Sequence, residues 1–175
     1  FAMRFWSAAA GALTALLLWR WGMQLAKKAW VGGTAAAIFL LGRFIFFHSF
    51  RTGETDGILV LVVTAAVYSY WRWLEERRWW VWFGMAVGLA FLTKPLFGVF
   101  PLAIAGLDLL LGRMVTKNRL LDLLKATGLS FLIAAPWHIA MSLHFGHTFW
   151  DSYVGFNVLQ RASDTLYANV VPWWW

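Results

Sequence analysis

Six apolar runs crowd into 175 residues, and the short polar joints between them alternate in charge. Alternate joints gather Lys and Arg, while the others carry carboxylates. This pattern predicts an all-α integral membrane protein of about six transmembrane helices, with an interfacial helix near the C-terminus. The runs cover about residues 5–25, 31–50, 58–74, 79–93, 97–112 and 120–143, and residues 144–175 form an outer segment. A hydrophobic content of 61% and a mean hydropathy of +0.64 exceed what a soluble domain of this size can cover with polar surface.

The stretch from Trp79 to Gly112 is the ambiguous one. As a single helix it would measure ~51 Å, against a hydrocarbon core of ~30 Å. Pro95 disfavours helix at Lys94 and removes a backbone donor, so a hairpin of two short helices is expected. Charge supports the hairpin. With it, Arg20, Lys27, Lys28, Arg72, Arg77, Arg78, Arg113, Lys117, Arg119 and Lys125 share one side. Arg51, Lys94 and Arg161 share the other, and Arg4 and Arg43 lie in or at the edge of apolar runs. Such a bias marks the cytoplasmic side, and a single span would erase it. It also accounts for the net charge of +7 without a nucleic-acid partner.

The chain lacks Cys, which excludes disulfides and thiolate metal sites. It shows no internal repeat, soluble domain, P-loop, dinucleotide fingerprint or nucleophile elbow. No signal peptide is visible, and the chain is expected to be a single transmembrane domain fragment of a larger membrane protein.

Candidate site residues fall on the side poor in basic residues. Arg51, Glu54 and Asp56 lie within six residues before the third run. They read either as a solvated loop with an acid near a helix start, or as a carboxylate site in which Arg51 holds an anion. Lys94 sits at a turn whose arms are short for a full crossing. It reads either as snorkelling to headgroups or as holding a phosphorylated ligand. His138, His144 and His147 have no carboxylate at helical spacing to complete a metal site, so no metal is assigned to them. The 14 Trp lie mostly at helix ends as an aromatic belt, with Trp137 and Trp150 as candidates for a ligand. Gly84 and Gly88 form a small-xxx-small helix contact. Phe149, Trp150, Tyr153, Val154 and Val158 recur at helical spacing opposite Asp151, Ser152 and Arg161, as in an amphipathic interfacial helix.

The order "RTGETDG", "ERRWWVWFGMAVGLAFLTKPLFGVFPL", "APWHIAM", "GHTFWDSYVGFNVLQRASD" and "VPWWW" resembles the GT-C-type, polyprenyl-phosphate-sugar-dependent glycosyltransferases. The resemblance is to the protein mannosyltransferase and lipid A aminoarabinose transferase superfamily and covers nearly the whole chain, with "GLAFLTKP" its most specific piece. It implies transfer of a sugar from a polyprenyl-phosphate carrier to an unidentified acceptor, on the periplasmic or exterior face of a bacterial inner membrane, with membrane lipid around the protein. Asp56 or Glu54 would match the acid preceding the fourth family helix, Lys94 the lysine of "LTK", and Arg161 the arginine of the outer segment. Aminoarabinose transferases tend to carry an acid and a His shortly before that arginine, where this chain has Asn157 and Val158. The family's main carboxylate loop lies upstream of Phe1, so these 175 residues are expected to be inactive alone. Any divalent metal would be bound mainly by residues outside them. Two rivals remain, a transporter or flippase for a lipid-linked substrate and a non-catalytic scaffold.

Overall fold

A computed structural model describes residues 2–42, 55–112 and 116–160. The described residues form helices α1 (Ala2–Ala26), α2 (Ala29–Leu41), α3 (Asp56–Glu75), α4 (Trp80–Thr93), α5 (Pro95–Leu111), α6 (Lys117–Phe145) and α7 (His147–Trp150). A 3-10 turn, Arg77–Trp79, precedes α4, and a π-helical segment, Asp151–Gln160, follows α7. Among the described residues there is no strand. Two helices, Asp56–Glu75 and Lys117–Phe145, are long and apolar enough to cross a membrane.

The break between α4 and α5 falls at Lys94, whose backbone is extended (φ −149°, ψ 109°). Its N–H donates to Ala90 O at 2.9 Å, closing α4, and its carbonyl accepts from Phe97 N at 3.0 Å, opening α5. Pro95 then occupies the first turn of α5, where its missing N–H costs nothing. The 14 residues of α4 and the 17 of α5 give helices of ~21 and ~26 Å. Both are shorter than the ~30 Å that α3 reaches with 20 residues.

The chain divides into two compact units, residues 1–134 and 135–175. In the first, side-chain contacts relate the directions of α1, α3, α4, α5 and α6. Gln24 of α1 accepts from Tyr68 Oη of α3 at 2.9 Å, and Trp21 packs on Tyr68 and Trp71, so the ends of α1 and α3 lie together. Trp73 and Tyr70 pack on Phe83, whereas Leu59 and Val62 pack with Ala90, so α4 runs antiparallel to α3. Tyr70 Oη donates to Asp108 Oδ2 at 2.5 Å, which sets α5 parallel to α3. Gly84 meets Ala126, Gly88 meets Ser130 and Ile133, and Phe91 stacks on Phe131 at 5.6 Å, so α6 runs alongside α4 in the same direction.

Small residues make these approaches close. Ala66, Ala86, Ala105 and Ala126 surround the fully buried Phe83 and Val87 in the main core. Large apolar side chains point the other way: Leu110 and Leu111 are each 81% exposed, with Leu132, Leu107 and Phe131 also open. Such a surface has no stable place in water, and lipid tails are the solvent that suits it.

These directions separate the charge. The described Lys and Arg residues assigned above to the basic side gather at the end formed by the close of α1, α3 and α5 and the start of α4 and α6. Asp56 and Lys94 stand at the opposite end, with Arg4 in the first turns of α1.

In the second unit, Gly146 adopts φ 57° and ψ −134°, a conformation open essentially to glycine, and turns the chain from α6 into α7. The expected amphipathic helix is present in altered form. From Asp151 onward its hydrogen bonding is of the π type, one residue wider per turn than the α spacing that the sequence pattern implied.

Candidate active site

Two of the five site residues expected from sequence come together: Lys94 Nζ forms an ion pair with Asp56 Oδ1. Asp56 belongs to the first turn of α3, where the helix dipole favours a carboxylate. It does not cap that helix. Thr55 occupies the capping position without a side-chain cap bond, and the Asp56 carboxylate turns to Lys94 instead. Lys94 is presented by the extended link that Pro95 enforces between α4 and α5. Leu59, three residues after Asp56, and Ala90, four before Lys94, are buried in one cluster with Val62. The pair's side chains remain 39% and 28% exposed for Lys94 and Asp56, so an incoming anion has a route to the ammonium.

The same two helices are tied again at their far ends. Tyr70 lies 14 residues after Asp56, and Asp108 lies 14 residues after Lys94. The Tyr70–Asp108 bond therefore holds α3 and α5 in the register that presents Asp56 to Lys94, ~21 Å away along both helices. Arg51, Glu54 and Arg161 lie outside the described residues.

At the basic end, Arg77 grips the buried Asp122 through two bonds, Nε to Oδ2 at 2.6 Å and Nη2 to Oδ1 at 2.9 Å. Arg72 bridges Glu75 and Glu76 at 2.6 and 2.9 Å, with its guanidinium over Trp79. Arg78 bonds to Glu76 at 2.8 Å and holds its carboxyl below the usual range. The partners Asp108 and Asp122 carried a signal that sequence reading passed over. A lone acid within an apolar run must find a donor, and both do.

The second unit holds an aromatic cluster. His138 Nε2 and Tyr153 Oη are hydrogen-bonded at 2.7 Å, Phe149 stacks on Tyr153 at 4.9 Å, and Trp137 packs edge-on to Phe149. An open cavity of about 280 Å³ adjoins Phe149 and Tyr153, with Thr148 and Ser152 on its wall. Trp137 and Trp150, singled out from sequence, belong to this cluster. His144 packs against Phe145, and His147 opens α7.

Comparison with known proteins reveals the family. The model of the dolichyl-phosphate-mannose-protein mannosyltransferase family matches residues 1–139. The chain belongs to this family. Similar proteins include an undecaprenyl phosphate-alpha-4-amino-4-deoxy-L-arabinose arabinosyl transferase of Aeromonas hydrophila, 29% identical over 188 residues, which cover all of this chain and 33% of the relative. A transferase of the same name from Pectobacterium atrosepticum is 26% identical over 181 residues, covering all of this chain and 32% of the relative. A second such transferase of Sodalis glossinidius is 33% identical over 119 residues, covering 60% of this chain and 21% of the relative. The chain thus spans about a third of the length of the curated relatives it matches. No solved structure matches it.

Proposed function

We propose that the protein is a membrane glycosyltransferase that takes a sugar from a polyprenyl-phosphate carrier on the extracytoplasmic side, within a single transmembrane domain crossing the bilayer six times over these residues. The observation that carries this reading is the Asp56–Lys94 pair at the end of the bundle opposite the basic cluster. Family membership supports the reaction class, and the names of the relatives support an undecaprenyl-phosphate-linked pentose as donor. The proposal extends to the donor and leaves the acceptor open.

The chemistry follows from what the two groups do to each other. Each neutralises the other while the site is empty of substrate. The donor phosphodiester carries one negative charge, as the carboxylate does, and competes for the ammonium; it gains a second charge as the sugar leaves. Lys94 then stabilises the phosphate as it departs from the sugar carbon. The released Asp56 carboxylate is free to accept the acceptor's proton or to steer the acceptor. Glu54 stands two residues away in sequence as a second acid, and Arg51 and Arg161 are assigned to the carrier phosphate. Holding carrier and acceptor at one membrane surface supplies the remaining orientation.

Lys94→Ala in the full-length protein is expected to lower sugar transfer about 10²–10³-fold, the value of one preorganised group on a developing anion. Asp56→Asn is expected to lower it about 10²–10⁴-fold. Transfer at the wild-type rate by both variants would remove the site. Orientation has its own test: single cysteines at positions 54 and 76 should react with an impermeant reagent from opposite sides of the membrane. Labelling from one side would discard the crossing count.

A further inference from the structure

We infer that the cavity at the basic end of the bundle, between the close of α3 and the first turn of α6, binds the phosphate headgroup of an anionic phospholipid. The cavity holds about 240 Å³. Its two acids are already committed: Glu75 to Arg72 at 2.6 Å, and Asp122 to both bonds from Arg77. What remains is a set of donors. The Arg119 guanidinium lines the cavity, and among the described residues no carboxylate lies within 4.0 Å of it. The Asn118 amide stands beside it. Thr116 accepts the Arg119 backbone N–H through its side-chain oxygen at 3.3 Å, a bond that leaves the hydroxyl proton unused. The first turn of α6 adds the positive end of a helix dipole, and Lys117 adds its charge.

A cavity whose acids are ion-paired and which still offers a guanidinium, an amide NH2 and a hydroxyl proton suits an anion. The walls say which kind. Trp73 and Leu74 form the apolar side of the cavity. Leu74 is 41% exposed, and the bundle's outward surface is apolar. A soluble anion would leave this apolar wall bare. A phospholipid satisfies both demands at once, its phosphate among the donors and its acyl chains leaving past Trp73 and Leu74 to the apolar outer surface. Basic pockets between transmembrane helices on the cytoplasmic side take anionic headgroups for this reason. The orientation proposed above decides only which leaflet supplies the lipid, and the donor set does not depend on sugar transfer.

The test uses purified full-length protein in a neutral detergent, with no activity readout. Phosphatidylglycerol, phosphatidylcholine of the same acyl chains, or inorganic phosphate is titrated in, and binding is followed by native mass spectrometry and by the thermal unfolding midpoint. Phosphatidylglycerol is expected to bind and raise the midpoint more than either of the others. Arg119→Gln is expected to weaken phosphatidylglycerol binding about fivefold, the value of one arginine near an anionic surface. Arg4→Gln, at the opposite end of the bundle, should leave it unchanged. If Arg119→Gln does not fold, Asn118→Leu carries the same expectation by obstructing the cavity. Equal effects of the two lipids, a full phosphatidylglycerol response in both cavity variants, or an equal response to inorganic phosphate would each overturn the inference.

Discussion

Replacing Gly84 by alanine tests the α4–α6 contact on which the bundle's geometry depends. A Cβ at this position would stand 2.8 Å from Ala126 O and 3.0 Å from Ala126 Cα. Both are backbone atoms, so no rotamer change relieves the clash. Reaching an ordinary contact of 3.4 Å requires the helices to part by 3.4 − 2.8, about 0.6 Å. Overpacking of this kind costs about 1–3 kcal/mol. Alanine returns about 0.8–1 kcal/mol through helix propensity, leaving a net loss of about 0–2 kcal/mol. Gly128 of α6 supplies the control, because a Cβ there meets nothing within 4 Å. Gly128→Ala keeps the propensity gain without the clash and is expected to stabilise by up to about 1 kcal/mol. The difference between the two variants cancels propensity and isolates the clash, at about 1–3 kcal/mol. Reversible unfolding in mixed micelles, followed by tryptophan fluorescence, reads both midpoints. Gly84→Ala stabilising as much as Gly128→Ala would show that α4 and α6 do not touch as described.

Further predictions address the charged and hydroxyl groups. Lys27 holds φ 54° between α1 and α2, a left-handed conformation costing a non-glycine residue about 1 kcal/mol, so Lys27→Gly should raise the unfolding midpoint. Arg77→Ala strands the buried Asp122 carboxylate, whereas Arg78→Ala leaves the more exposed Glu76 still paired with Arg72. The first should therefore lower the midpoint and the second should barely move it. Burial pushes the Tyr153 phenol from 10.0 up to about 12. Folding thus favours its protonated form, and the associated stability is complete below pH 10 and lost as pH rises towards about 12. Ultraviolet titration of tyrosinate should show a late-titrating group that disappears in Tyr153→Phe. Glu76 has the opposite sign. Its carboxyl is held low by Arg78, so its contribution is present above the ordinary carboxylate value and lost as pH falls through the depressed one. Glu76→Gln should flatten that acid limb of a stability–pH curve.

The helices were legible because apolar runs and their punctuation act locally. Pro95 breaks a stretch too long for one crossing, and the break falls at Lys94, where an ionisable residue inside apolar sequence already drew notice. Gly84 and Gly88 announced a helix contact but not its partner, since Ala126 and Ser130 lie more than 40 positions away and small residues are common throughout the chain. Asp56 and Lys94 were each visible as candidates, yet an acid beside a helix start has an ordinary use as a cap. Only the fold shows its carboxylate turned to the ammonium. The widening of the helix after Asp151 was hidden for a different reason. A spacing of three and four residues fits an α-helix, and the chain departs from it where Phe149 stacks on Tyr153 and Tyr153 reaches His138.

Those cases share a cause that bears on the site itself. In water a lone Lys or Asp can be satisfied by solvent, so its sequence position says little about its partner. At the ends of short helices in an apolar medium it must be satisfied by the protein or by a lipid, and the number of partners within reach is small. Of the five acids in the described bundle or at its edges, Glu76 pairs with Arg72 and Arg78, and the other four follow the same rule: Asp56 takes Lys94, Asp108 takes Tyr70, Asp122 takes Arg77 and Glu75 takes Arg72. Three of these ties bring helices together. The fourth holds Arg72 within its own helix and leaves Arg119 without a carboxylate among the described residues. The same reasoning therefore reads both ends of the bundle. At one, Asp56 holds the Lys94 ammonium; at the other, the Arg119 guanidinium has no carboxylate within 4.0 Å among the described residues.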